Sequence, residues 1–441
     1  MRRIIAALLM MFFLFPAAFA QAEDGEEDVV VHEVELEEES PEEAAEGEPE
    51  AAPEKNEPAG DFLLGVEPEP SEITPAYRSQ EHPDHGEGCF WCTPMNLEDE
   101  DAIWKMLTSP ITVVQAKDKE KALDDQMRQT VIYAEPDEKS EKIGMVTGQS
   151  QGVHVLETRD DGWSKVETYS TSFHDSKVKN WNGFVTGWIQ TKKLITDTKV
   201  NQHYGIIIDK LTQRLYLFVD GHLETELAVS TGKYNEKQPY NETRSGDFLI
   251  ISVTVGRIKS DNLICDYALR YNAADYLHEV PHLKNGDGSK NFKSGEAKLG
   301  VRASHGCIRA QRLTNAEGYK MSSIYKLIQE TTKETKKNVR LVIWEDYAGR
   351  QIEIPGDDTL VYYNPKGGVN YHKCAECNGV KDKFLPLTAF PYSELETDAY
   401  KKLTPCAYCM PAPRRAELEA VNEEHLHSSP GDIMTFWPEE D

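Results

Sequence analysis

The amino-acid sequence predicts a mainly β, multidomain protein with a small cysteine-stapled module towards its C-terminal end. Three observations carry this. Between about residues 128 and 196, short runs of β-branched and aromatic residues are broken by turn residues. Asp220-Gly221 separates two apolar runs, 213–219 and 222–229, which is a strong hairpin signal. The chain has 441 residues and eight cysteines, six of them in C-x-x-C pairs. That length exceeds one core, and the pairs suit staples or metal sites.

Taken in order, residues 1–20 read as an export signal. Arg2 and Arg3 precede an apolar run, and Ala18-Phe19-Ala20 is an A-x-A cleavage site. The run is too short to span a bilayer comfortably, so no stable membrane insertion is expected after cleavage. Residues 21–75 are rich in Glu, Pro and Ala. They cannot bury enough apolar area to offset the entropy of ordering, and are expected to be a disordered acidic linker. The net charge of −28 concentrates there and argues against nucleic acid as a partner.

Residues 76–127 form a cysteine-containing segment with His82, His85, Cys89 and Cys92. Three readings stay open for it: a structural staple, a metal knot, and a redox pair. A helix is predicted at 98–107, opening in acidic residues that favour a helix N-terminus.

Residues 128–200 read as short strands. Asp161-Gly162-Trp163-Ser164-Lys165-Val166 and Gly187-Trp188-Ile189 stand at their ends. This pattern resembles bacterial SH3-like domains, with an insertion near 170–180. The resemblance implies a small β-barrel that binds wall peptides or packs on its neighbour, with Trp163 and Trp188 in its core on the second reading.

Residues 203–346 carry the stretch Arg302-Ala303-Ser304-His305-Gly306-Cys307-Ile308-Arg309. A nucleophilic thiol needs a base, oxyanion donors and room. Gly306 lets the backbone bend sharply beside Cys307, and the amides of Gly306 and Cys307 are candidate oxyanion donors. Residues 304–309 resemble the S/T-H-G-C signature of YkuD-family L,D-transpeptidases. The order of hairpin, Ser230-Thr231-Gly232, Gly246-Asp247-Phe248 and S-H-G-C follows that family over the whole segment. The resemblance implies a β-sandwich with a small helical part, for which a helix is predicted at 315–329. The usual Thr-Pro-Thr stands here as Thr243-Arg244-Ser245. The family's general base is an earlier histidine on a neighbouring strand. His278 fits that place, with His282 the rival, and Glu279 replaces the usual small residue. The base is expected to draw the Cys307 pKa down. Ser304 and His305 complete the loop, and Arg309 either braces it or holds a substrate carboxylate.

Residues 355–413 contain His372, Cys374, Cys377, Cys406 and Cys409. The pattern resembles a Y-H-x4-C … L-T-P-C-x-x-C module appended to exported proteins of Clostridia-like bacteria. That resemblance implies a zinc-ribbon-like site of His372, Cys377, Cys406 and Cys409, with Cys374 extra. Two disulfides are the other reading. Residues 414–441 read as a tail.

Together these readings imply a secreted, cell-wall enzyme acting on peptidoglycan stem peptides. It would need no cofactor for catalysis, beside a structural zinc. The expected activity is 3→3 cross-linking with release of D-alanine. The alternatives are an L,D-carboxypeptidase using the same acyl-enzyme and an inactive wall-binding protein.

Overall fold

The computed structural model describes residues 29–30, 88–93, 95–115, 129–173, 176, 178–233, 237–253, 256–260, 262–344 and 352–427. The export signal, the acidic linker apart from Val29–Val30, His82, His85 and the tail beyond 427 lie outside them. Among the described residues, no helix is long and apolar enough to cross a membrane.

Residues 203–344 build one eight-stranded sheet. Its order is Gly246–Leu249, Arg340–Trp344, Tyr204–Asp209, Arg214–Val219, His222–Ser230, Ile308–Ala310, Tyr276–Glu279 and Leu269–Arg270. The hairpin forms where the sequence places it. Asp220 and Gly221 have φ of 47° and 103°, as a type I′ turn needs, and Val219 pairs with His222. Side chains alternate across the sheet. Ile206, Ile208, Leu341 and Ile343 face one core with the helix Met321–Thr335. Ile207, Val342 and Trp344 face another.

The helix starts six residues later than the sequence predicts. Asn315 is the reason. Its side-chain amide donates to Thr225 Oγ1 at 2.6 Å and to the Glu226 carbonyl at 2.9 Å. Its Oδ1 accepts from Tyr319 N at 2.8 Å. Asn315 thus closes a turn instead of opening a helix.

The second face is covered by the N-terminal segment. The helix Glu100–Thr108 is capped by Asp99, which accepts from Ala102 N. Its Ile103, Met106 and Leu107 are fully buried, with Phe90 and Trp91 beside them, on Ile207, Phe218, Val342 and Trp344. Arg340 fixes the contact with a buried bidentate pair to Asp247 and a hydrogen bond to the Met106 carbonyl.

Residues 129–190 form a five-stranded sheet: Lys142–Thr147, Gln129–Tyr133, Phe184–Gln190, Trp163–Tyr169, His154–Thr158. Its core is aliphatic: Val114, Ile132, Val146, Val153, Val166, Val185 and Ile189. Trp163 and Trp188 are only half-buried. Trp163 sets its edge on Tyr133, and Trp188 lies under Arg159.

The C-terminal unit is a four-stranded sheet, Thr388–Pro391, Leu360–Tyr363, Asn370–His372 and Thr404–Pro405. It packs on Tyr371, Phe390, Tyr392 and Leu395. At the start of the stretch read as a tail, Arg415–His427 is a helix. Leu418 and Asn422 are buried, and Asn422 exchanges hydrogen bonds with the backbone of Ile352.

Candidate active site

Cys307 immediately precedes the strand Ile308–Ala310. That strand lies between His222–Ser230 and Tyr276–Glu279, and His278 pairs with Arg309 in the parallel register. The sequence signature and the candidate base therefore sit on adjacent strands. Cys307 is half-buried and packs with Cys265 against Ile258, Ala268 and Tyr276. Its sulfur accepts a backbone hydrogen bond from Tyr276. Cys265 belongs to the hairpin of Arg257–Ser260 and Leu263–Asp266, so this hairpin packs against the Cys307 loop.

His278 is buried. Its Nδ1 lies 2.6 Å from the Glu279 carbonyl, so Nδ1 carries the proton and Nε2 is the free acceptor. The partner is a backbone oxygen, so the contact does not depend on the Glu279 side chain. Burial pushes the imidazole down to about 4. Burial likewise pushes the Cys307 thiol up to about 12, with Asp275 adding to the rise. The expected fall in thiol pKa is not what the site gives. Desolvation outweighs the neighbouring charges Arg309 and Arg244, which act in the opposite direction on the thiol.

His282 is committed elsewhere. Its Nε2 lies 3.1 Å from Asp266 Oδ2, and its ring packs on Phe292 at 4.9 Å. Rather than ending a strand on an open loop, it bridges Ile264 and is fully buried. The longer 278–304 connection contains a small hairpin, Leu283–Lys284 with Lys290–Asn291, and the short helix Lys293–Glu296.

The Cys307 loop is held from several sides. The Ser304 hydroxyl donates to the Cys307 carbonyl, closing the turn. Arg309 Nη1 donates to the Ala303 carbonyl at 3.2 Å. His305 is exposed. Gly306 has φ +118°, and a Cβ there would meet Asp275 Oδ1 at 2.7 Å. Both the angle and the space require glycine. Gly232 makes a second close approach, since a Cβ on it would lie 2.9 Å from Gly306 N.

Sequence reasoning missed four residues that shape this loop. Thr243 accepts from Gly232 N at 2.7 Å and donates to the Gly306 carbonyl at 2.8 Å. Tyr271 directs its hydroxyl at the same carbonyl. Arg244 lies 3.5 Å from Asp275 and donates to the Ser172 carbonyl at 2.9 Å, with Phe173 under its guanidinium. Ser172 and Phe173 belong to the connection between Trp163–Tyr169 and Phe184–Gln190, which thus reaches Arg244 beside the Cys307 loop. Thr243 was visible only as part of a departing Thr-Pro-Thr motif. Arg244 stands in the same departing motif, and Tyr271 and Asp275 carried no local signal.

Two arginines near this loop are paired with carboxylates. Arg302 lies 3.9 Å from Glu242, and Arg312 is bonded to Glu296. Lys210 is fully buried and donates to Glu242, the Thr243 carbonyl and Ser245, which fixes the loop that presents Thr243 and Arg244.

In the C-terminal unit, the ligand atoms of His372, Cys377, Cys406 and Cys409 lie within 4.8 Å of one another, all buried. Cys377 and Cys406 sulfurs are 4.0 Å apart, and Cys409 Sγ is 3.7 Å from His372 Nδ1. Backbone amides of Gly379 and Lys373 point at Cys377 and Cys409 sulfurs. Cys374 stands outside the cluster.

No curated protein matches the chain. Among solved structures, it is similar to an L,D-transpeptidase from Xylanimonas cellulosilytica, at 14% identity and TM-score 0.21, covering 32% of this chain and 60% of that one. An L,D-transpeptidase from Mycobacterium smegmatis is 12% identical at TM-score 0.23, covering 54% and 92%. The catalytic domain of an E. faecium L,D-transpeptidase is 15% identical at TM-score 0.19, covering 32% and 96%. Residues 203–333 match the family model of the YkuD L,D-transpeptidase catalytic domain. The segment that carries Cys307 and His278 is thus an L,D-transpeptidase catalytic domain of the YkuD family.

Proposed function

We propose that the chain is an exported L,D-transpeptidase that forms 3→3 peptidoglycan cross-links through a Cys307 acyl-enzyme. The observation that carries this reading is the tautomer of His278. With Nδ1–H on the Glu279 carbonyl, Nε2 is left as a base on the strand beside the nucleophile.

The donor stem ends in a D-alanine joined to the L-centre of a diamino acid. Cys307 Sγ attacks that carbonyl carbon as its proton passes to His278 Nε2. The oxyanion forms against the backbone amides of the 304–307 loop. The C–N bond breaks, His278 returns the proton to the leaving amine, and D-alanine departs. A thioester remains. The side-chain amine of a second stem attacks it, His278 accepts the amine proton, and the thiolate leaves and is reprotonated. A neutral thiol and imidazole suit this cycle, because the charges arise only as substrate binds and reacts. Arg309 braces the loop while they do.

Hydrolysis is the second reading, since water can replace the acceptor amine. Incubation with a disaccharide-tetrapeptide, followed by mass analysis, decides between them. A dimer that has lost one D-alanine supports transpeptidation. Tripeptide alone means a carboxypeptidase, and unchanged substrate overturns both.

His372, Cys377, Cys406 and Cys409 hold a structural zinc in this proposal. Four ligands at ~2.3 Å from a tetrahedral ion lie about 3.8 Å apart, which the 4.0 and 3.7 Å separations fit. The ion staples a small sheet and takes no part in acyl transfer. The five-stranded unit is assigned as the SH3-like domain, and its insertion presses on Arg244 beside the site.

A further inference from the structure

The C-x-x-C pair at the N-terminal edge takes no part in the reaction above. Cys89 and Cys92 stand on one tight turn. Cys92 N donates to the Cys89 carbonyl at 3.1 Å, and Thr93 bonds the same carbonyl through N and Oγ1 at 2.9 and 2.7 Å. The turn places both sulfurs on one side. There they meet His154, which opens a strand of the five-stranded sheet. The two sulfurs and a ring nitrogen of His154 all lie within 4.8 Å of one another. His154 is buried, and its Nδ1 is 2.8 Å from the carboxylate of Glu167, which is fully buried on the next strand. Trp91 stacks almost parallel to the imidazole at 6.1 Å, and Tyr169 and Phe184 continue the aromatic wall.

We propose that Cys89, Cys92 and His154 form a zinc site that clamps the N-terminal segment to the five-stranded unit. The donor set, two thiolates and an imidazole, is the one zinc prefers. Glu167 supplies the second half of the argument. A carboxylate on Nδ1 orients the ring and leaves Nε2 to act as the ligand atom, as partners of metal-bound histidines do. Ligands of a tetrahedral ion stand about 3.8 Å apart, so small rotations of the two cysteine side chains close the site. Water or a further side chain completes the tetrahedron.

The placement gives the site its consequence. The turn at Cys89 is continuous with Phe90, Trp91 and the helix Glu100–Thr108, which cover one face of the catalytic sheet. A metal at this point ties that cover to the unit whose insertion holds Arg244. The sequence pattern shows the cysteine pair, but the third ligand is 62 residues beyond Cys92 and comes from another unit.

The test uses the full-length, reduced protein with Cys406→Ser and Cys409→Ser, so that zinc at the C-terminal cluster does not contribute. Stripped of metal and titrated with Zn²⁺ or Co²⁺, it should take up one ion per chain. Cobalt should show the intense thiolate charge-transfer band of a tetrahedral site, and Trp91 fluorescence should change in step. Cys89→Ser and His154→Ala should each abolish this uptake. Glu167→Gln, a milder change, should weaken it by ~10–100-fold. Absence of uptake with both thiols free, or a Cys89–Cys92 disulfide in the protein as isolated, overturns the site. So does metal that persists in Cys89→Ser and His154→Ala alike.

Discussion

The Thr243 hydroxyl donates to the Gly306 carbonyl at 2.8 Å and accepts from Gly232 N at 2.7 Å, so one side chain ties the S-T-G loop to the nucleophile loop. All three groups are buried. Removing the hydroxyl leaves a buried amide and a buried carbonyl short of a partner, at a cost of about 1–3 kcal/mol. Thr243→Val should therefore lower the denaturation midpoint and slow Cys307 acylation by ~10-fold. Thr243→Ser keeps the bridge and should recover most of both. Wild-type acylation in the valine variant would show that the bridge does not position the loop.

The depressed imidazole sets the pH profile. Burial holds His278 near 4, below the ordinary histidine value of about 6.5. As pH falls, protonation removes the acceptor for the thiol proton, so acylation is lost on the acid side. The loss should begin below pH 5 and run through about 4, while the rate stays level across 6.5. Linkage gives stability the same sign. The unfolded chain binds this proton near 6.5 and the folded one only near 4, so the contribution of His278 is complete above 6.5 and lost as pH falls through 4. Stopped-flow acylation by a carbapenem-type reagent, with circular dichroism to monitor the fold, checks both. A midpoint near 6.5 would mean a solvated base.

The two histidines that sequence alone left as rivals should separate cleanly. His278→Ala removes the base and should cut acylation by ~10²-fold or more with the fold kept. His282→Ala removes a partner of Asp266 and a ring packed on Phe292. It should cost about 1–3 kcal/mol of stability and leave acylation within a few-fold of wild type. If thermal melts and acylation rates show the reverse, the assignment of the base fails.

Much of this arrangement was legible from local pattern. The Asp220-Gly221 hairpin followed from turn chemistry. The place of His278 and the C-terminal ligand set came instead from family resemblance. What escaped is long-range. Arg244 reads as a mid-loop cation until the chain folds Ser172 and Asp275 onto it. His154 reads as one more residue of an alternating strand until Cys89 and Cys92 arrive from sixty residues away. The late start of the helix at Met321 follows from Asn315 finding Thr225 and Glu226 across the sheet, which no window around residue 315 contains. Burial defeated the expectation for the thiol in the same way, since a neighbouring imidazole is visible in a motif and desolvation is not.

The C-terminal cluster should bind one zinc in the full-length chain independently of the N-terminal site. Its four ligand atoms are buried and stand at separations a tetrahedral ion accepts, whereas a disulfide needs sulfurs about 2 Å apart. The Cys377–Cys406 separation is 4.0 Å. The amides of Gly379 and Lys373 already point at two of the sulfurs, which stabilises thiolate charge on a bound metal. With Cys89 changed to Ser to silence the other site, metal analysis should give about one zinc per chain, and Cys406→Ser should remove it. Because a site of this kind contributes folding energy, chelator should lower the melting of the C-terminal unit while leaving Cys307 acylation unchanged. A zinc-free protein with Cys377 and Cys406 or Cys409 joined in a mapped disulfide would replace the metal with a covalent staple. Loss of acylation on chelation would instead place the ion in the reaction and overturn its purely structural role.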